Sequence, residues 1–187
     1  FEPLGMVDTA FHVPVGKKSR LATLYRWGKD GPKATTNMLM SRDSDEPPKL
    51  ANGGGGLFST AGDYARFAQM LLNKGEFDGK RIVDEAAVQT QMSNHLSAEV
   101  MAGGFGVGLQ QIRPGYGHGF DGGVFTDPDA AGIPVGKGTY QWDGAAGTWF
   151  WVDPANDLLF VGMIQRMAEK SPPLQRITQT MMADALI

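Results

Sequence analysis

The residues with the strongest claim to chemistry lie in the stretch 139–154, TYQWDGAAGTWFWVDP. Three of the chain's four tryptophans, Trp142, Trp149 and Trp151, stand there among glycines and alanines. Gly144 has no side chain, so a substrate can lie against its backbone. The amide of Ala145 can then donate to an oxygen that gains negative charge during acyl transfer. Trp142 would wall such a site with an aromatic surface suited to acyl or alkyl groups. Strand alternation sends Asp143 to the face opposite Trp142 and Gly144. For Trp149 and Trp151, packing as sheet residues beneath a helix is the stronger reading.

Other constellations are weaker. Gly117-His118-Gly119-Phe120-Asp121-Gly122 fits a dinucleotide fingerprint, but Arg113-Pro114 before it and Phe125-Thr126-Asp127-Pro128 after it are not a strand-to-helix context. In a chain with 26 glycines, about twice the usual share of roughly 7%, a chance match is the better explanation. His12, His95 and His118 lack metal-ligand spacing, and the run Gly53-Gly54-Gly55-Gly56 has no Lys-Ser or Lys-Thr after it to hold a phosphate. No serine lies in GxSxG and none has a lysine three residues on, so the chain by itself holds no complete catalytic constellation. No metal and no cofactor is implied.

Composition sets the outer limits. With 42% hydrophobic and 20% charged residues in 187, the chain reads as one globular unit with a real core. A net charge of −3 offers no basic surface for nucleic acid. The longest apolar run, 158–164, is too short for a membrane span, so a soluble protein is expected, in either the cytoplasm or the periplasm. Without cysteine there is no disulfide, thiol nucleophile or zinc-thiolate site. The opening Phe1-Glu2-Pro3-Leu4-Gly5-Met6 reads as the exit from a structured element, and residues are expected to precede it.

The elements that must position the tryptophan segment follow from periodicity. A helix is expected over 61–74, capped by Thr60, with Asp63 closing a reciprocal box, Gly75 ending it, and Tyr64, Phe67, Ala68, Leu71 and Leu72 on one face. A second helix runs from its Asp84 cap to about Asn94, with Val88 and Met92 inward. Residues 21–27 are a strand candidate, and 28–56 read as irregular. Strands are expected over 105–112, 123–126, 139–143, 148–152 and 158–165, the last one buried, then a helix from Pro172-Pro173 to Ile187. The fold class is α+β, with a mostly helical and loop region over 1–104 and an antiparallel sheet with the C-terminal helix over 105–187, together expected to form one incomplete domain.

Three stretches, FEPLGMVDT at the start, Gly54-Gly55-Gly56-Leu57-Phe58-Ser59-Thr60-Ala61-Gly62-Asp63-Tyr64, and Trp142-Asp143-Gly144-Ala145-Ala146-Gly147-Thr148 with Val152-Asp153-Pro154, resemble class C β-lactamase-like serine hydrolases. Within them the similarity is greatest to family VIII carboxylesterases. The resemblance implies a β-lactamase/transpeptidase-like, penicillin-binding-protein-like fold. It also implies chemistry by a serine and lysine of an SxxK motif, a tyrosine of a YxN-like motif, and a third motif on a sheet strand. Trp142-Asp143-Gly144 is similar to that third motif, where β-lactamases usually have Lys-Thr-Gly and the esterases commonly Trp-Gly-Gly. Asp143 departs from the pattern, and the missing lysine at 142 favours ester over β-lactam hydrolysis.

The resemblance thus implies the C-terminal half of a serine carboxylesterase working through an acyl-serine intermediate, its serine, lysine and tyrosine upstream of residue 1. On this expectation Ala145 supplies an oxyanion amide, while Trp142, Asp143 and Gly144 border a small-molecule ester. The 187-residue chain alone is expected to be inactive and to associate with the upstream segment or with itself. An acyltransferase, a β-lactamase, a D-amino-acid peptidase of the same fold or a non-catalytic module are the alternatives.

Overall fold

The computed structural model describes residues 1–35, 47–102, 106–107, 110–111, 114–167 and 172–186. Its elements in chain order are β1 (Tyr25–Gly28), β2 (Gly31–Ala34), α1 (Ala61–Leu72), β3 (Glu76–Phe77), β4 (Lys80–Arg81), α2 (Glu85–Gln91), α3 (Ala98–Ala102), β5 (Gly106–Val107), β6 (Gln110–Gln111), β7 (Tyr116–His118), β8 (Gly123–Phe125), α4 (Pro128–Ala131), β9 (Tyr140–Asp143), β10 (Thr148–Asp153), β11 (Leu158–Met163), β12 (Arg166–Met167) and α5 (Leu174–Ala185).

The centre is a five-stranded antiparallel meander in the order β11-β10-β9-β8-β7, so each strand pairs with its neighbour in sequence. Alternation along β10 sorts its side chains between two layers. Phe150 and Val152 join the core beneath α1, where Tyr64 and Phe67 meet the Phe150 ring edge-on at 5.1 and 6.4 Å. Trp149 and Trp151 turn the other way, and both indoles donate to Thr178 Oγ1 of α5. Phe160 of β11 stacks on both tryptophans, at 6.0 and 5.8 Å. Gly162 stands directly opposite Trp149, and a Cβ there would run into the indole. Large beside small is thus a packing rule on this face: the missing side chain is where the tryptophan lies.

α1 forms as its sequence dictates, with one difference at each end. Thr60 caps it by accepting from the Asp63 amide at 3.1 Å, but Asp63 does not close a reciprocal box. Its carboxylate instead accepts from the Asp8 amide at 2.7 Å and the Thr9 hydroxyl at 2.9 Å, because the N-terminal segment lies close enough to compete for it. At the C-terminus the left-handed turn begins one residue early, at Lys74, φ 55°, and continues in Gly75, φ 95°, whose amide reaches back to Met70 O at 2.8 Å. That six-to-one bond with Lys74 N on Leu71 O makes a Schellman motif. Leu4 and Met6 are buried against the same core, and Arg66 Nε donates to Leu4 O at 2.6 Å. The α1 stripe and the first ten residues are therefore one packed unit.

Other expectations shift. The irregular stretch 28–56 contains β2, which pairs with β1 as a hairpin, while 36–46 lie outside the described residues. The strand candidate 21–27 starts only at Tyr25, and its aromatic face is exposed. Over 105–112 the described residues form two short strands, with Phe105, Gly108, Leu109 and Ile112 outside them. β11 ends at Met163 and is half-buried rather than buried, since among the described residues it is an edge strand of the sheet. Asp84 occupies the cap position of α2 without a side-chain capping bond. The last helix runs to Ala185, with Ile187 outside the described residues. No helix among the described residues is long and apolar enough to cross a membrane.

Candidate active site

The glycine fingerprint is a hairpin, β7 to β8, rather than a strand-to-helix turn. Its glycines serve packing: at Gly119 a Cβ would meet the carbonyl of Gln91, because the end of α2 docks directly on this turn. Phe120 N donates to Gln91 O at 3.0 Å, and the Tyr140 hydroxyl donates to Phe120 O at 2.6 Å. Burial pushes the Tyr140 pKa up, against a smaller opposing effect of the Gln91 hydrogen bond.

β9 carries the candidate residues towards the end of the sheet. Trp142 is half-buried on the α1 side, packed against the core. Asp143 pairs directly with Trp149 and so shares the α5 face, opposite Trp142 as alternation requires. Asp143 is exposed. The strand ends there. Gly144 lies beyond it, as the expected strand end at 143 implies, and begins a tight turn to β10. Gly144 N donates to Thr148 O at 2.7 Å and Gly147 N to Gly144 O at 2.9 Å. The space a Cβ at Gly144 would need is held by the Thr148 hydroxyl, so its small size serves turn closure. Gly147, at φ 88°, completes the reversal.

Within this turn the polar groups have unequal fates. The Ala146 side chain is buried, and its carbonyl accepts from Arg166 N at 2.8 Å. Ala145 is exposed, and among the described residues its amide donates to no acceptor. The structure thus brings Trp142, Gly144 and Ala145 to one end of the sheet, where the Ala145 N–H has no acceptor among the described residues and a developing negative charge would find a donor.

Two residues there escaped the sequence reading. His118 meets Trp142 edge-to-face, with centroids 5.5 Å apart and planes at 86°. Its Nδ1 lies 2.7 Å from Gly119 O and so carries the proton, while Nε2 is buried without a partner among the described residues. Arg166 follows β11 and is tied by its backbone to Ala146. The only available signal for Arg166 was the meander itself, which returns the residues after β11 to the β9–β10 turn. For His118 there was none beyond a motif that fitted something else. No group of three or more His, Asp or Glu gathers to hold a metal among the described residues.

Similarity to known proteins covers this whole arrangement. Protein Rv1367c of Mycobacterium tuberculosis (strain ATCC 25618 / H37Rv) is 37% identical over 172 residues, which are 90% of this chain and 42% of that protein. Esterase EstB of Burkholderia gladioli is 30% identical over 169 residues, 82% of this chain and 39% of that one. The chain therefore spans about two fifths of the length of these curated relatives. Among solved structures, EstCE1, a hydrolase with promiscuous acyltransferase activity, superposes with a TM-score of 0.70 over 97% of this chain and 47% of its own, at 22% identity, which speaks for the fold. The Beta-lactamase family model matches residues 1–180, and the chain belongs to that family.

Proposed function

We propose that this chain is the C-terminal part of a serine carboxylesterase in which the Ala145 amide is one oxyanion donor and Trp142 and Gly144 border the ester, with Asp143 on the opposite face of β9. The observation that carries this reading is Ala145, exposed in the turn after Trp142, with an amide that no described residue accepts from. Serine, lysine and tyrosine come from a segment before Phe1 in the intact protein. Supporting this, the curated relatives are more than twice as long, and one of them is named as an esterase.

Serine attacks the ester carbonyl, lysine and tyrosine move its proton and then the leaving alcohol's, and water releases the acid from the acyl-enzyme. Through both steps the carbonyl oxygen becomes negative, and the Ala145 N–H stabilises it. The same preceding segment covers the β11 edge, which among the described residues pairs on one side only.

The test is labelling with a fluorophosphonate followed by mass spectrometry. The protein translated from the longer reading frame should take up one adduct on a serine before Phe1, and the 187-residue chain none. An adduct on the 187-residue chain, or none on the longer protein, removes the reading. The acyltransferase alternative draws support from the printed activity of EstCE1. An added alcohol separates the two, because a transferase yields a new ester where an esterase yields acid.

A further inference from the structure

The small sheet β12-β1-β2 borders the candidate turn. Arg166 N donates to Ala146 O at 2.8 Å, Tyr25 N donates to Gln165 O at 3.0 Å, and Tyr25 pairs with Arg166 in parallel register. Alternation then places Tyr25, Trp27 and Arg166 on one face. Trp27 is 51% and Tyr25 43% exposed, unusual for aromatic side chains of adjacent strand positions. The Arg166 guanidinium lies over the Trp27 ring, 4.8 Å from its centroid.

Among the described residues Arg166 is held by packing and by no acid. Its Nε is buried without a partner, and among the described residues it makes no ion pair. Among the described residues its two terminal nitrogens have no acceptor either, and they are not among the buried unpartnered atoms. A guanidinium fixed on an aromatic face, with a pair of donors that no described residue takes up, matches a carboxylate in two-point geometry. The local field agrees. Arg26, Lys29, Lys33 and Arg166 outnumber Asp30 in this small sheet, and Asp30 is already paired with Lys33 at 3.0 Å, in a chain whose net charge is −3.

We infer that Arg166 on its Trp27 platform is a specificity-determining site for a carboxylate carried by the ester substrate. The inference deepens the acyl-serine reading and rests on it for where the ester lies. With neighbouring strands about 4.8 Å apart, the platform is on the order of 10 Å from the Ala145 amide, within reach of a short dicarboxylic half-ester.

Two measurements test it. In the 15N-labelled chain, monomethyl glutarate should shift the Arg166 Nε–H and Trp27 indole N–H resonances saturably, and methyl valerate should not. The Arg166→Lys spectrum identifies the first resonance and Trp27→Phe the second. No shift, or equal shifts with both compounds, overturns the inference. In the intact enzyme, Arg166→Gln should lower the ratio of kcat/KM for p-nitrophenyl hydrogen glutarate over p-nitrophenyl valerate by roughly tenfold or more, mostly through KM. Trp27→Leu, which leaves the charge in place, should lower that ratio less, and it serves where Arg166→Gln melts early. An unchanged ratio with valerate still hydrolysed sinks the carboxylate site and leaves the esterase standing. If the wild-type enzyme cleaves neither ester, the esterase reading falls and the resonance shifts alone decide whether the site binds carboxylate.

Discussion

β10 runs between two turns that treat their polar groups in opposite ways. At its far end Asp153 is 1% exposed, and its carboxylate accepts from Gly136 N at 2.7 Å, Ala155 N at 3.1 Å, Asn156 N at 3.2 Å and Asn156 Nδ2 at 2.8 Å. At the near end the turn from Gly144 to Gly147 closes on itself and leaves the amide of the exposed Ala145 without an acceptor among the described residues. A buried acceptor with four donors fixes a connection, since removing it strands each donor away from water. An exposed donor with no acceptor contributes nothing to folding and is available to a ligand. One strand thus separates a turn built for stability from one whose proposed use is catalytic.

The largest effect should come from the first of these. Asp153→Ala should cost about 3 to 5 kcal/mol in a urea titration, because it leaves buried amides unpaired. Asp153→Asn should recover part of that. A loss below about 1 kcal/mol would mean the turn is held by something else. The opposite signature is expected of Ala145→Pro, which removes the N–H itself. In the intact enzyme kcat should fall by a factor of about 10² to 10³. The unfolding midpoint should barely move, as the deleted N–H makes no bond among the described residues. Ala145→Gly keeps the amide and should retain most activity. If the proline variant stays active, the difference between the two turns has no catalytic meaning.

Why one part of this was legible and another was not follows from range. α1 announces itself locally through Thr60, the apolar stripe and the glycine after it, and β9 and β10 through alternation that also puts Asp143 opposite Trp142. Family likeness added the meaning of Trp142-Asp143-Gly144, which no spacing rule contains. What escaped depends on contacts distant in sequence. β2 reads Gly-Pro-Lys-Ala, a poor strand by propensity, and exists because β1 pairs with it. Asp63 fits a local capping box equally well until Asp8 and Thr9 arrive from 55 and 54 residues away. His118 and Arg166 acquire neighbours only once the meander is folded.

The core between the two turns adds a smaller, pH-dependent test. Tyr64 lies under the sheet against Phe150, and burial, with Tyr140 nearby as a lesser cause, pushes its hydroxyl pKa up to about 12 from its ordinary value near 10. The unfolded chain therefore loses this proton first, so the group's contribution is fully present below pH 10 and is lost as pH rises to about 12. The two-unit difference corresponds to about 3 kcal/mol when both states have ionised. Tyr64→Phe should remove that alkaline fall from the urea midpoint. An unchanged alkaline slope in Tyr64→Phe would place the ionising group elsewhere, with Tyr140 the next to replace.

The smallest effect is expected where carboxylates of the N-terminal segment repeat the same division. Asp63 is buried and accepts from the Asp8 amide and Thr9, whereas the Asp8 side chain faces outward to Lys17 and Arg20, the latter at 2.8 Å. Hydrogen bonds from Lys17 first and Arg20 second hold the Asp8 carboxyl below the usual carboxylate range. Stability from its ionised form is fully present above pH 3.8 and is lost as pH falls through the lowered folded value. Because both cations are largely exposed, salt should weaken this contribution. Asp8→Asn keeps the backbone amide that Asp63 uses, so it should flatten the acid limb of the unfolding curve below about pH 4 by lowering the neutral-pH midpoint slightly, by the small salt-screened contribution alone, while the acid end stays at the parent's. Thr9→Val removes a bond to the buried Asp63 and should lower the midpoint at neutral pH. If Asp8→Asn instead matches Thr9→Val at neutral pH, the outward pair is as structural as the buried one, and exposure no longer separates the two roles in this segment.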